Sequence, residues 1–310
     1  MSGEFIDVRA LRLKAESVEG TYETLAAADA MQILNGEAQI QEDPLTREID
    51  KPDGGARPSV QTRRRVTITG GIELAGAATA GNAAPHAALL LNAGHAEVLD
   101  AGPPAGAEYS PVLKGFASAS AEFFWDGERY RAKSGRSRLT SIAAEINNYL
   151  RAEFEYMGLI ESIAEAAVPS DDVSAFQAPQ PLTVESMLAS VGGTALEVVS
   201  INIDPGIDLN MSYHSEGVIV GHTARSVTGT LRCHRPLVAT KDLRTLASTR
   251  ATEALFLGLS TGTAAEAVEI TSATTEFGEP QNVEIDGGYK GWDVPFRMLD
   301  DYTLRFGPSL

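Results

Sequence analysis

Five histidines, one cysteine and 42 acidic residues are the groups in this 310-residue chain that could do chemistry. The histidines are His86, His95, His214, His222 and His234, and none sits in HExxH, HxH or another paired-ligand spacing. Cys233 and His234 are adjacent, so a strand would point them to opposite faces and away from a common metal. A core thiol beside an exposed imidazole is the plainer reading. The motifs GxSxG, GxxxxGK[ST] and GxGxxG are absent. Gly70-Gly71, Gly192-Gly193 and Gly287-Gly288 lack the strand-to-helix setting of a phosphate cradle and read as bulges and turns. Carboxylate pairs such as Glu153 and Glu155, or Asp300 and Asp301, are expected by accident in so acidic a chain. A glycosidase would add aromatic platforms, yet aromatics make up only 6%. No metal, cofactor or catalytic residue is expected. The triplet Arg63-Arg64-Arg65 stands out: it is either a grip on an acidic neighbour across an interface, or a solvated strand start.

The formal net charge of −17 argues against sequence-independent nucleic-acid binding, which requires Lys and Arg to neutralise phosphates, and against docking on anionic lipid. A lone cysteine excludes an intrachain disulfide and fits assembly in a reducing cytoplasm. The N-terminus MSGEFIDVRA shows no signal-peptide pattern, and apolar runs such as AALLLNAG are too short to span a membrane.

The elements that would carry these residues are mostly strands. VTITGGIEL (66–74) alternates, with a bulge expected at Gly70-Gly71. FASASAEFFWDGERY (116–130) reads as strand, Asp126-Gly127 turn and returning strand. LRAEFEYM (150–157) alternates as another strand, and SIAAEINNY (141–149) is ambiguous. Helices are expected at 85–93, with Pro85 in the first turn and Gly94 as C-cap, and over 242–259 with Asp242 as cap.

The segment 168–182, rich in Pro, Ser and Asp, reads as a linker. It separates a first β module (1–168) from a second (183–310), with the linker proper at 169–182. The two parts look like copies of one plan. RRVTITGGIEL (64–74) corresponds to RSVTGTLRCHRPL (225–237), a helix ALLLNAG (88–94) to EALFLGLSTG (253–262), and YLRAEFEYMG (149–158) to DYTLRFG (301–307), in the same order. A long polar loop precedes the matching strand in each copy, at 41–61 and 204–222, and loops of that length are usually functional.

The order KAESVEGTYET (14–24), RRRVTITGGIELAG (63–76), APHAALLLNAGHAE (84–97), AEYSPVL (107–113), ASAEFFWDGERYRAKSGRSRLT (119–140) and AEFEYMG (152–158) resembles the tail tube, or major tail, proteins of long-tailed phages and prophages. Coverage is best over 1–160, and the second copy follows mostly by order. The family's tyrosine-glycine turn is replaced here by Glu19-Gly20-Thr21, while Lys133-Ser134-Gly135-Arg136 supplies its glycine-arginine element.

The resemblance implies a mainly β fold: two tandem barrel- or sandwich-like modules, each with a short flanking helix. Six such modules make a ring whose inner strands join, so a two-module chain implies a trimeric, pseudo-hexameric ring in preference to a hexamer. Rings stack into a hollow conduit for DNA ejection, through which DNA passes without specific binding. The implied partners are further copies of the chain and the tape-measure, terminator and baseplate proteins. The implied place is the virion tail, after assembly in the host cytoplasm. Strand alternation offers Glu73, Glu145, Glu153, Glu155, Asp204, Asp208 and Glu284 as lumen-facing acids. The loops offer Asp43, Pro44, Asp50, Asp53, Pro58, Tyr213, His214 and Glu216 as ring-stacking residues. Arg63, Arg64 and Arg65 are the candidate subunit contacts. A carbohydrate-binding or carbohydrate-cleaving β-protein, and a baseplate or capsid component, remain the alternatives.

Overall fold

A computed structural model describes residues 9–46, 59–77, 79–102, 104–176, 179, 181–214, 217–223, 225–259, 267–285 and 287–307. Strands take up 57% of the structure and helices 6%. The first half contains β1 (Arg9–Ala15), β2 (Ala30–Met31), β3 (Leu34–Thr46), β4 (Ser59–Glu73), α1 (Ala87–Asn92), β5 (His95–Asp100), β6 (Gly106–Pro111), β7 (Ala119–Trp125), β8 (Glu128–Glu145) and β9 (Arg151–Glu165). The second contains β10 (Met187–Val191), β11 (Thr194–Leu196), β12 (Val198–Asp204), β13 (Leu209–His214), β14 (Gly217–His222), β15 (Thr228–His234), α2 (Leu243–Thr249), β16 (Thr252–Leu259), β17 (Val268–Phe277), β18 (Gln281–Ile285), β19 (Tyr289–Met298) and β20 (Thr303–Phe306).

Alternation places these strands as expected of half-buried sheets. In β9, Ala152, Phe154 and Tyr156 are buried while Arg151, Glu153 and Glu155 are not. In β19, Trp292, Val294 and Phe296 are buried while Asp293, Pro295 and Arg297 are not. Asp126 and Gly127 both adopt positive φ and close the β7–β8 hairpin, as that dipeptide favours. Gly135 is required by close approach: a Cβ there would lie 2.0 Å from the Tyr156 hydroxyl, which donates to Ala119 O.

The two halves repeat one strand order. Hydrogen-bonded neighbours run β2-β1-β7-β8-β9-β4-β3 in the first and β11-β10-β16-β17-β19-β15-β12 in the second. The registers agree in detail. Leu11 faces Met31 and Phe123, and its counterpart Ala189 faces Leu196 and Leu257. Arg136 opposite Met157 matches Glu276 opposite Arg297. Even an irregularity is shared: the β7–β8 register shifts between Ala119 and Ala121, and the β16–β17 register between Glu253 and Leu255. The long strand β8 matches β17 followed by β18, and β9 matches β19 followed by β20.

The halves are joined edge to edge. Ile142, Ala143, Ala144 and Glu145 of β8 pair antiparallel with Ile203, Asn202, Ile201 and Ser200 of β12. Ala107–Tyr109 of β6 pair with the C-terminal strand β20, and Arg305 reaches Glu108 at 2.6 Å. A single 18-stranded sheet results, and β13–β14 form a separate hairpin. The core is continuous across the join, from Ile68, Phe123 and Phe154 to Ile203, Leu231 and Trp292.

The mainly β, sandwich-like class is as expected, but the sheet does not close into a barrel. Three local expectations are corrected and one ambiguity is resolved. The helix placed at 253–262 is strand β16; the helix is α2, which ends where Arg250 turns left-handed. An unbroken apolar run, Ala254 to Leu257, had concealed the period-two burial of Leu255, Leu257 and Leu259. The counterpart of β9 begins at β19, and 301–307 supplies only its continuation. Gly70 and Gly71 lie in regular pairing with β9, and the register shift falls on β3 between Leu34 and Glu37. The ambiguous stretch 141–149 is strand as far as Glu145.

The described residues of 166–182 form no helix or strand, yet they are strapped to the first half. Asp171 accepts from Arg12 at 2.8 Å, Phe176 packs on His86, and Leu182 is fully buried with backbone bonds to Asn147 and Asn148.

Candidate functional site: the open sheet face and its edges

Over β4-β9-β8-β12-β15-β19 one face covers the core and the other is open, with β3 and β18 flanking the series. On β18 the alternation is lost, with Ile285 buried and Asn282 and Glu284 exposed. Because paired residues share a face, the registers define the open side. It carries Glu37, Thr69 and Glu73, then Arg151, Glu153 and Glu155, then Ala143 and Glu145. Across the join it continues through Ser200, Asn202 and Asp204, Thr230 and Arg232, and Asp293. Glu145, Ala143, Asn202, Thr230, Arg232 and Asp293 line a shallow concavity of about 320 Å³ over the join.

Five of the seven predicted lumen acids therefore share this face: Glu73, Glu145, Glu153, Glu155 and Asp204. They do not form a bare acidic row. Arg138 bonds Glu155 at 2.7 Å and also engages Asp208. Arg151 lies 3.5 Å from Glu73. Asp204 accepts from the Gly206 backbone at 2.8 Å. Glu284 does not share the face: it opposes Lys290, one residue out of phase with Asp293.

The alternation missed Asp293, Glu37 and the arginines. Arg232 and Asp293 form a two-pronged pair at 2.7 and 2.8 Å, which holds the Asp293 carboxyl below its ordinary range and raises the guanidinium. The alternating run GWDVPFRM contained the signal for Asp293.

Both long loops are hairpin arms. The first prolongs β3 and β4, where Thr46 pairs with Ser59. Asp43 and Pro44 lie in β3, while Asp50, Asp53 and Pro58 lie outside the described residues. The second is β13–β14, which folds back on the first half: Arg136 donates to Val220 O at 2.9 Å and His222 to Ser137 O at 2.6 Å. Tyr213 and His214 end β13, and Glu216 lies outside the described residues.

The arginine triplet sits in β4, where Arg64 and Arg65 engage β3 of the same hairpin. Arg64 pairs with Glu42 at 2.7 Å, and Arg65 donates to Gln41 Oε1 at 2.6 Å and toward Met211 Sδ. The geometry does not leave these two cations bare for a neighbour. Arg63 occupies the same strand between them and Ser59.

The remaining groups with chemical potential are structural. Cys233 is buried, which pushes its thiol up to about 12 and leaves no thiolate at neutral pH. His86 is buried and bonds Glu73 O at 2.8 Å; burial lowers it to about 4. His95 is lowered to about 4 in the same way. Its Nδ1 donates to Leu90 O, so its Nε2 accepts from the Tyr302 hydroxyl at 2.9 Å, a bond between the halves. Glu16, unremarked in the sequence, accepts from Ser118 Oγ, Ser120 Oγ, Ser134 N and Gly20 N at 2.6–3.0 Å. Among the described residues, no three His, Cys, Asp or Glu side chains are grouped as metal ligands. The chain matches no protein-family model and no curated protein.

Proposed function

We propose that the chain is a structural subunit that polymerises through its sheet, as tail tube proteins of long-tailed phages do, and performs no catalysis. The observation that carries this reading is the pairing of β8 with β12: two modules of one strand order are already joined edge to edge inside a single chain. A sheet that continues from one module to the next within a chain can continue from chain to chain by the same geometry. Such head-to-tail addition closes into a ring when the rotation per step divides a full turn. Three copies would supply six modules. The hairpin β3–β4 is the element that would reach an adjacent ring, while β13–β14 is folded against β8 of its own chain.

The open polar face then becomes the wall of the conduit. Its acids outnumber its bases, and passing DNA is repelled within a Debye length of ~8 Å at physiological salt. The Arg–carboxylate pairs keep that repulsion moderate and hold the wall side chains in place. Proteins that set the tube's length and close its ends are the expected partners, and the virion tail is the expected location.

Electron microscopy of concentrated purified protein tests the proposal. Rings or tubes with threefold or pseudo-sixfold projections are expected. A uniform population of single chains at every concentration would overturn it.

A further inference from the structure

If copies of the chain do join, as proposed above, the internal junction specifies which strands meet and in what register. Among the described residues, β3 pairs only with β4, and β18 pairs only with β19. Each is an edge strand that offers backbone groups to a further strand, although Gly36 O on β3 already accepts from Arg9 at 2.6 Å. These are the repeat equivalents of the strands joined inside the chain. β12, which meets β8, corresponds to β3, because Asn202 opposite Thr230 matches Glu37 opposite Thr69. The part of β8 that meets β12 corresponds to β18, because Ala143 opposite Arg151 matches Val283 opposite Gly291.

We infer that β18 of one copy pairs antiparallel with β3 of the next, with Val283 opposite Glu37, Asn282 opposite Ala38 and Glu284 opposite Gly36. This register copies Ala143–Asn202, Ile142–Ile203 and Ala144–Ile201. The partner is a second copy of this chain, and each copy offers β3 to one neighbour and β18 to the other, so the contact is head-to-tail.

The side chains fit two different duties. Ile142 and Ile203 are buried and fuse the halves permanently. Ala38 and Asn282 replace them at the open edges, and Gln281, Asn282 and Glu284 are exposed. An edge that must remain soluble until it meets its partner is better served by such residues than by isoleucine.

Paired cysteines test the register. Glu37 is exposed and Val283 half-buried, so Glu37→Cys with Val283→Cys leaves the fold intact. Directly opposed residues on neighbouring antiparallel strands lie ~4.5–5.5 Å apart, within disulfide reach. Buried Cys233 does not compete. Mild oxidation of the assembled double variant should give reductant-sensitive covalent multimers ending at the closed ring. Either single variant, and Glu37→Cys with Asn282→Cys, should give at least tenfold less, because Asn282 points to the other face. Rings or tubes in the microscope without Glu37–Val283 cross-links, or with equal yield from the off-face pair, would overturn this register while leaving the assembly reading in place. Single chains throughout would overturn both.

Discussion

The two halves share a strand order and differ in how they are stabilised. The first half buries polar networks: Glu16 with three serines and a glycine amide, Asn92 bridging Ala117, Gly135 and Ser137, and the histidines His86 and His95. At the positions matching Leu11, Phe123 and Tyr156 the second half places Ala189, Leu257 and Phe296, and its α2 is capped by Asp242, whereas α1 has no side-chain cap. One strand order thus tolerates different side-chain fillings, the second half burying Glu269, Ser272 and Thr275 as its own polar groups, because sheet pairing fixes the order and leaves the filling of the core to the side chains.

Acid should separate the halves most strongly. His86 and His95 are neutral in the folded chain because burial lowers them to about 4. The unfolded chain binds protons near pH 6.5, so stability is full above that value and falls as pH drops toward 4. The loss is on the order of 3 kcal/mol per histidine at pH 4. Denaturant titrations across pH 7 to 4 measure it, and hydrogen exchange at pH 4.5 should open β5 and α1 before β15 and β19. A flat profile would remove the histidines from the account.

Matched lysines sharpen the contrast between the internal and outer edges. Ile142→Lys puts a charge into the buried seam and should cost about 3–5 kcal/mol in chemical unfolding. Its repeat equivalent, Asn282→Lys, lies at an exposed edge but removes the acceptor of the buried Trp292 indole N–H, so it should cost about 1–2 kcal/mol, well short of Ile142→Lys. The same variant should abolish assembly in sedimentation. Equal destabilisation by both would break the equivalence of the two edges.

Much of the first half was legible in the sequence because its signals are local. The Asp126-Gly127 turn, the helix near 85–93, which begins at Ala87 so that Pro85 precedes it and does not lie in its first turn, and the alternation of β9 each report on a few consecutive residues. The second half was less so. β16 hid in an apolar run, and the counterpart of β9 is divided between β19 and β20. The cross-half pairings, the Arg–carboxylate pairs on the open face and the serine bonds to Glu16 join residues 17 to more than 200 positions apart. No local pattern records them.

Two smaller effects complete the comparison. Glu16→Ala leaves Ser118, Ser120 and the Ser134 amide without their acceptor and should cost about 2–3 kcal/mol, read as a lower thermal midpoint. Thr194, near the matching place after β10, should tolerate Ala within about 0.5 kcal/mol. On the open face, Arg232→Ala should cost less than about 1 kcal/mol, since the pair with Asp293 is largely solvated. A larger loss there would mean that the wall pairs hold the seam itself.

β8 is one strand of 18 residues that serves β7 near its start and β12 at its end. The halves consequently meet without a hinge. Tension between them would load four pairs of opposed residues in shear, together with the β6–β20 ladder, before it ever drew taut the segment that links β9 to β10. Any filament built from such units would bend where one molecule ends and the next begins, and each molecule would act as a stiff plate.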